Sequence, residues 1–239
     1  MLTFSDTFAG PLGTPPDPRY WTCCVDQQGG GNQELEYYTR EAVACSPAGL
    51  VITASHDNGS YPAWNGPSQF LSGKVWSKGK FEFRYGHLDV AASIPAGLPG
   101  AWPAIWLLGA DLDEVGWPAC GELDVMESFA VNGNPSVISG SLHTPTDNPT
   151  ATCTLATPAT ELHTYSLDWR PSSVTWSADG HPYQTILKKN LASWPFDGPM
   201  FLILNLAIGG TMGGAVPGTA PLPYQMIVKS VDLYNAEVS

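Results

Sequence analysis

Cations are scarce in this chain. Only 10 of its 239 residues are Lys or Arg, against 22 Asp or Glu, giving a formal net charge of −12. A surface so poor in positive charge is a bad match for phosphate backbones or anionic membranes, so neither nucleic acid nor membrane is expected as a partner. No run of 18 or more apolar residues occurs, which leaves no candidate transmembrane helix. The opening residues MLTFSDTF read directly as a strand, so no signal peptide is expected within them. Long stretches with helical periodicity are missing, and so are linkers, repeats and low-complexity blocks. The five cysteines, Cys23, Cys24, Cys45, Cys120 and Cys153, are odd in number and show no metal-ligand spacing. One or two disulfides, which would suit an oxidising compartment, and buried free thiols are both compatible with them, and the residues alone assign no pair.

What the chain does have is apolar and aromatic. Hydrophobic residues make up 43% against 13% charged, with nine Trp, nine Tyr and eight Phe, so the chain folds around a substantial core. Residues 1–239 are long enough for one all-β domain and are read as a single one. The 25 Gly and 22 Pro are spread as punctuation between short alternating or apolar runs. GLVITASHDNGSY reads as a strand entering a hairpin at Asp57-Asn58-Gly59, and KGKFEFRYGHLDV alternates throughout. HTYSLDW and SSVTWSADGHPYQTI read as strands, the second folded at an Asp179-Gly180 turn. GPMFLILNLAIGG is continuously apolar, as a strand buried on both faces would be, and YQMIVKSVDLYNAEV closes the chain as a strand. Many strands at short spacing, with no helices between them, predict an antiparallel β-sandwich or barrel.

The chemistry concentrates in GELDVMES. Glu122 and Asp124 are two apart and share a face of a strand, but strict alternation sends Glu127 to the opposite face. One extra residue in a β-bulge at Val125–Met126 returns Glu127 to the face of the other two acids. Carboxylates so grouped suit glycoside hydrolysis: one attacks the anomeric carbon, one donates a proton to the leaving oxygen, and one between them tunes its neighbours. A solvated acidic strand and a calcium site are the competing readings. Trp102 and Trp106 lie four apart on one face of GAWPAIWLLG, and Trp117 precedes Glu122 by five residues. Flat aromatic faces next to acids, with few cations nearby, suit a neutral, hydroxyl-rich ligand such as a sugar chain.

At these residues the chain resembles glycoside hydrolase family 16, specifically its laminarinase-like endo-β-1,3-glucanases. The carriers are GWPACGELDVMES, with FSDTF, GNQELEYYT, YGHLDV, GSLHT, LHTYSLDW, WPFDGPMFLILNLAIGG and MIVKSVDLY following the family's order from end to end. The resemblance implies a concanavalin-like jelly-roll β-sandwich with a concave cleft, retaining hydrolysis of internal bonds in β-1,3-glucan, secretion, and action as a monomer. It implies Glu122 as nucleophile, Glu127 as general acid/base and Asp124 as the modulator between them. Trp102, Trp106, Trp117, Asn32, His143 and Asn205 would bind sugar, with Gly209-Gly210 lining the cleft. Mixed-linkage β-1,3-1,4-glucan is the next substrate, ahead of galactans, and a carbohydrate-binding module without turnover is the non-enzyme alternative. Transglycosylation shares the same covalent intermediate.

Three departures from the family's pattern stand out. A frequent cleft Trp is replaced by Gly30. Two arginines of YGR-x-E-x-R are replaced by His87 and Ala91, which implies altered hydrogen bonding to sugar. Ligand positions of a frequent structural calcium read Thr7 and Lys229, so that site is expected to be absent and no cofactor is expected.

Overall fold

The computed structural model describes residues 1–26 and 31–235. Among them, two sheets of ten and eight strands pack face to face as a jelly-roll sandwich, and every strand pair in them is antiparallel except Glu36–Tyr38 with Phe70–Ser72. The eight-stranded front sheet runs Thr150–Thr154, Val137–His143, Glu122–Glu127, Ala101–Gly109, Met200–Ile208, Lys74–Trp76, Thr22–Cys23, with Glu82–Phe83 pairing Met200–Ile208 at one end. The back sheet is built on His181–Leu187, Ser173–Ala178, His163–Arg170, Gly86–Ser93, Tyr224–Tyr234 and Gly49–His56.

Alternation decides which side chains fill the sandwich. In Gly86–Ser93 every second residue is buried, so Leu88 and Val90 enter the core while His87, Asp89 and Ala91 face outward. Trp169, Trp176 and Tyr165 come from the back sheet, and Ile105, Leu107, Leu123 and Val125 from the front, to form one continuous core. Met200–Ile208 is buried at all nine positions, as its unbroken apolar run requires. Asp179 and Gly180 both take positive φ, 50° and 76°, which is the tight-turn geometry expected of an Asp-Gly pair.

Two local readings are corrected. Asp57-Asn58-Gly59 does not close a tight hairpin: Gly49–His56 pairs instead with Phe70–Ser72. The Asp57 carboxylate accepts from Ser60 N at 2.9 Å, Ser60 Oγ at 2.6 Å and Ser68 Oγ, so the side chain organises a longer excursion. Within it the tight reversal is Trp64-Asn65, between Pro62–Ala63 and Gly66–Pro67. The alternation of KGKFEFRYGHLDV is also interrupted. Tyr85 takes φ 62°, and there the chain leaves the front sheet, where Glu82–Phe83 pairs, and enters the back sheet at Gly86.

All five cysteines are free, with Cys24, Cys45 and Cys120 buried. No helix among the described residues is long and apolar enough to cross a membrane.

Candidate active site

The acids sit on Glu122–Glu127 in the middle of the front sheet, and the bulge is where the odd spacing places it. Against Ala101–Gly109, Trp106 pairs with Asp124 and Ile105 with Met126, so Val125 has no opposite number. Against Val137–His143, Asp124 pairs with Ser141 and Glu127 with Ser139, three steps on one strand for two on the other. The skipped residues Val125 and Met126 are fully buried in the core, and Glu127 returns to the cleft face.

Each outer glutamate is held by a tryptophan. Trp102 Nε1 donates to Glu127 Oε1 at 2.9 Å, and Trp117 Nε1 donates to Glu122 Oε2 at 2.8 Å. The two indoles differ in setting: Trp102 is buried, whereas Trp117 is 59% exposed and offers an open face above the cleft. Trp106 shares the face of Trp102, as the spacing predicts, but donates to Asn205 Oδ1 at 2.7 Å rather than to an acid. His143, paired with Glu122 across the strands, places Nε2 3.1 Å from Asp124 Oδ2 and 3.8 Å from Glu122 Oε1. Its Nδ1 lies 3.1 Å from Asn148 Oδ1, which fixes the ring.

Electrostatics follow from burial. Asp124 is 2% exposed, and burial followed by the charge of Glu127 drives its carboxyl well above the usual range. Burial likewise pushes Glu127 up to about 7, against the indole N–H of Trp102, which favours its charged form. Glu122 is pushed up by burial and then by the charge of Asp124, while His143 and the Trp117 N–H favour its charged form. Three carboxylates this close cannot all ionise together. Asp124 is the most deeply buried of the three, and a side-chain hydrogen bond links it to Glu122. Burial and the neighbouring Asp124 raise Glu122 to about 8, so a proton on Asp124 would relieve the repulsion that disfavours the Glu122 anion.

A second cluster continues the cleft floor. Asn205 Nδ2 donates to Tyr38 Oη at 3.0 Å, and the ring of Tyr38 carries the Lys74 ammonium 4.6 Å from its centroid. Lys74 Nζ also reaches Asp26 Oδ2 at 2.6 Å. Sequence reading missed Tyr38, Lys74, Asn148 and the buried Glu36, whose Oε2 accepts from Ile208 N at 2.7 Å. The i, i+2 rhythm of Glu34, Glu36 and Tyr38 was the available signal for one strand of polar groups facing the same way.

Asn32 does not touch the acids. Its N–H donates to Glu34 Oε2 at 3.0 Å and its carbonyl accepts from Thr211 N, so it sits on the rim where Glu34 bridges Gly209. Gly210 lies against the same loop, since a Cβ there would be 2.8 Å from the Asn32 carbonyl oxygen. Gly30 lies outside the described residues.

His87 and Ala91 are a correction. They are on the outer face of the back sheet, on the far side of the core from the acids, and His87 pairs with Asp89 at 3.0 Å. Replacing arginines there leaves the sugar cleft untouched. Alternation within the strand is the same whichever sheet the strand joins, so the face was legible and the sheet was not.

The chain is similar to known proteins over most of its length. The model of the glycosyl hydrolases family 16 matches residues 33–220. A beta-glucanase of Rhodothermus marinus is 35% identical over 98% of this chain and 85% of its own length. A glucan endo-1,3-beta-glucosidase A1 of Niallia circulans is 33% identical over 92% of this chain, which spans 34% of that longer protein. The laminarinase catalytic domain of Thermotoga maritima superposes with a TM-score of 0.90 at 32% identity, covering 100% of this chain and 99% of that one.

Proposed function

The chain belongs to glycosyl hydrolase family 16, and from that premise we propose that it is a retaining endo-β-1,3-glucanase in which Glu122 is the nucleophile and Glu127 the general acid/base. The observation that carries the assignment of residues is the bulge, which sets Glu127 on the face of Glu122 with Asp124 buried between them.

In the first step Glu122 attacks the anomeric carbon as the glycosidic C–O bond breaks, and the proton of Glu127 passes to the departing oxygen. A covalent glycosyl ester on Glu122 results. Glu127, now a carboxylate, takes a proton from water as that water's oxygen bonds to the same carbon and the ester is released. Two displacements return the original anomeric configuration. In this reading Asp124 carries a proton, donates it in a hydrogen bond to Glu122 and keeps the nucleophile oriented. Trp102, Trp106 and Trp117 supply apolar surface for sugar rings, and His143, Asn205 and, at the rim, Asn32 supply polar contacts.

Residues 1–239 act as one catalytic domain, the enzyme works as a secreted monomer, and β-1,3-glucan is preferred to mixed-linkage glucan. The calcium site of many relatives does not fit here. Asp6 is engaged by Phe8 N at 2.7 Å and Trp21 Nε1 at 2.8 Å, and the exposed Thr7 and Lys229 present a hydroxyl and an ammonium where carboxylates are needed.

The test is a panel of laminarin, curdlan, lichenan, agarose and carrageenan, scored by reducing ends, product size and, by NMR, the anomer first released. Fastest release from laminarin, mixed oligosaccharide lengths and the β-anomer are expected. Glucan binding without any product, or the α-anomer first, would refute the reading.

A further inference from the structure

The bulge that delivers Glu127 to the cleft is itself held from behind. A bulge breaks the hydrogen-bond ladder locally, and a buried backbone carbonyl deprived of its partner is costly. At the start of this bulge the carbonyl oxygen of Asp124 is met through the core by Nε1 of Trp176, at 2.7 Å. Trp176 belongs to Ser173–Ala178 in the back sheet and is fully buried. The contact therefore ties the bulge to the opposite sheet of the sandwich.

Space for the indole is made by Gly140, which stands across from the bulge on the neighbouring strand, between Ser139 and Ser141. A Cβ on Gly140 would lie 2.4 Å from Trp176 Cδ1, 2.9 Å from Trp176 Nε1 and 2.5 Å from Tyr183 Oη. Any other residue there would push the indole off the Asp124 carbonyl. Other buried indoles donate too, Trp169 to Phe196 O at 3.2 Å and Trp21 to Asp6 Oδ2 at 2.8 Å, but neither reaches the acid strand.

We infer that Trp176 is a positioning residue for the general acid/base: its indole N–H, admitted by Gly140, pins the Asp124 carbonyl and so fixes the bulge that aims Glu127. The inference rests on the roles given to Glu122 and Glu127 above. The nucleophile precedes the bulge and Glu127 follows it. Loosening the pin therefore misdirects proton donation more than nucleophilic attack.

Leaving-group dependence separates the two. Laminarin needs a proton on its departing oxygen, whereas a 2,4-dinitrophenyl β-laminaribioside departs without one. Trp176→Phe keeps an aromatic ring and removes the donor, and Trp169→Phe is the control for a core indole lost elsewhere. For Trp176→Phe, kcat/KM on laminarin should fall about tenfold or more, as sub-ångström misplacement of a catalytic group allows. On the dinitrophenyl substrate it should fall less than about threefold, and Trp169→Phe should show no such split. If Trp176→Phe does not fold, Gly140→Ala displaces the indole and is read the same way. Parallel losses on both substrates, no loss on either, or failure of both variants to fold while Trp169→Phe folds would overturn the inference. Wild-type protein inactive on laminarin would sink the glucanase reading itself, and an active wild type without the split sinks this inference alone.

Discussion

Trp102→Phe should make the enzyme tolerate higher pH while weakening its acid. The indole N–H of Trp102 donates to Glu127 Oε1 at 2.9 Å in a buried setting, and a donor stabilises the carboxylate over the acid. Phenylalanine keeps a flat ring in the cleft and removes only the donor. A hydrogen bond to a charged group contributes about 1.5–3 kcal/mol, and about 1.4 kcal/mol corresponds to one pH unit, so the Glu127 pKa should rise by about one to two units. It starts at about 7, raised by burial and by the charge of Glu122. The first chemical step needs Glu127 protonated, so activity is lost as pH rises through its pKa, and a higher pKa carries the alkaline limb upward. The assay is kcat/KM on laminarin against pH, which reports the free enzyme. The limb should move from near 7 toward 8 or 9, with a lower plateau because a weaker acid is a poorer donor. A limb that stays in place or moves down would refute the claim that this bond lowers the pKa of the working acid.

Glu122→Gln should cut turnover of laminarin by about 10⁴-fold or more while laminarin still binds in affinity electrophoresis; residual reducing-end release near the wild-type rate would remove Glu122 as nucleophile. Asp124→Asn retains a donor toward Glu122 and Asp124→Ala does not, so the Asn variant should stay within about tenfold of wild type and the Ala variant fall further; equal losses would show that Asp124 does not act through a donated hydrogen bond. Glu36 is 3% exposed, and burial raises its carboxyl from 4.5 to about 7 in the folded state. The folded form thus holds the proton longer, so this contribution is fully present below about 4.5 and is lost as pH climbs through about 7, on the order of 3 kcal/mol. Glu36→Gln should accordingly flatten the fall of Tm between pH 5 and 8, and an unchanged slope counts against it. Calcium and EDTA should leave Tm unchanged, with no binding heat in calorimetry; tight stoichiometric binding would restore the calcium site. Titration of the unfolded, unreduced protein should find five thiols, and fewer would mean that bridges form between cysteines free in this structure.

What the sequence revealed and what it hid divide along the range of the interaction. The bulge was legible because a period of two is a local rule, and breaking it at Glu127 leaves a trace within six residues. The shared face of Trp102 and Trp106 was legible for the same reason. Their hydrogen-bond partners were not: Trp106 bonds Asn205, 99 residues away, and Asn205 bonds Tyr38, 167 residues away. Such contacts depend on strand order and register, which no single stretch encodes. His87 shows the boundary clearly. Its outward direction follows from alternation, but only the break at Tyr85, where the chain changes sheets, decides that outward means the back of the molecule. Asp57 failed differently. Its side chain competes for the donors that a tight hairpin would have paired along the backbone.

The indole N–H recurs wherever this site must fix an oxygen: Trp102 on Glu127, Trp117 on Glu122, Trp106 on Asn205 and Trp176 on the Asp124 carbonyl. The choice has a physical reason. Indole donates and cannot accept, and it does not titrate in the working range, so it can hold a carboxyl without competing for the proton that the carboxyl must pass on. A histidine in the same place could take that proton. An indole also marks one oxygen of each carboxyl as an acceptor. On Glu127 the bond to Oε1 leaves Oε2 to carry the transferable proton of the proposed mechanism. On Glu122 the bond to Oε2 leaves Oε1, 3.8 Å from His143 Nε2, as the oxygen for the ester of the proposed mechanism. The tryptophans that made the sequence look like a sugar cleft therefore have a second task. In the proposed mechanism their faces meet the sugar, and their edges set which oxygen of each acid is left to react.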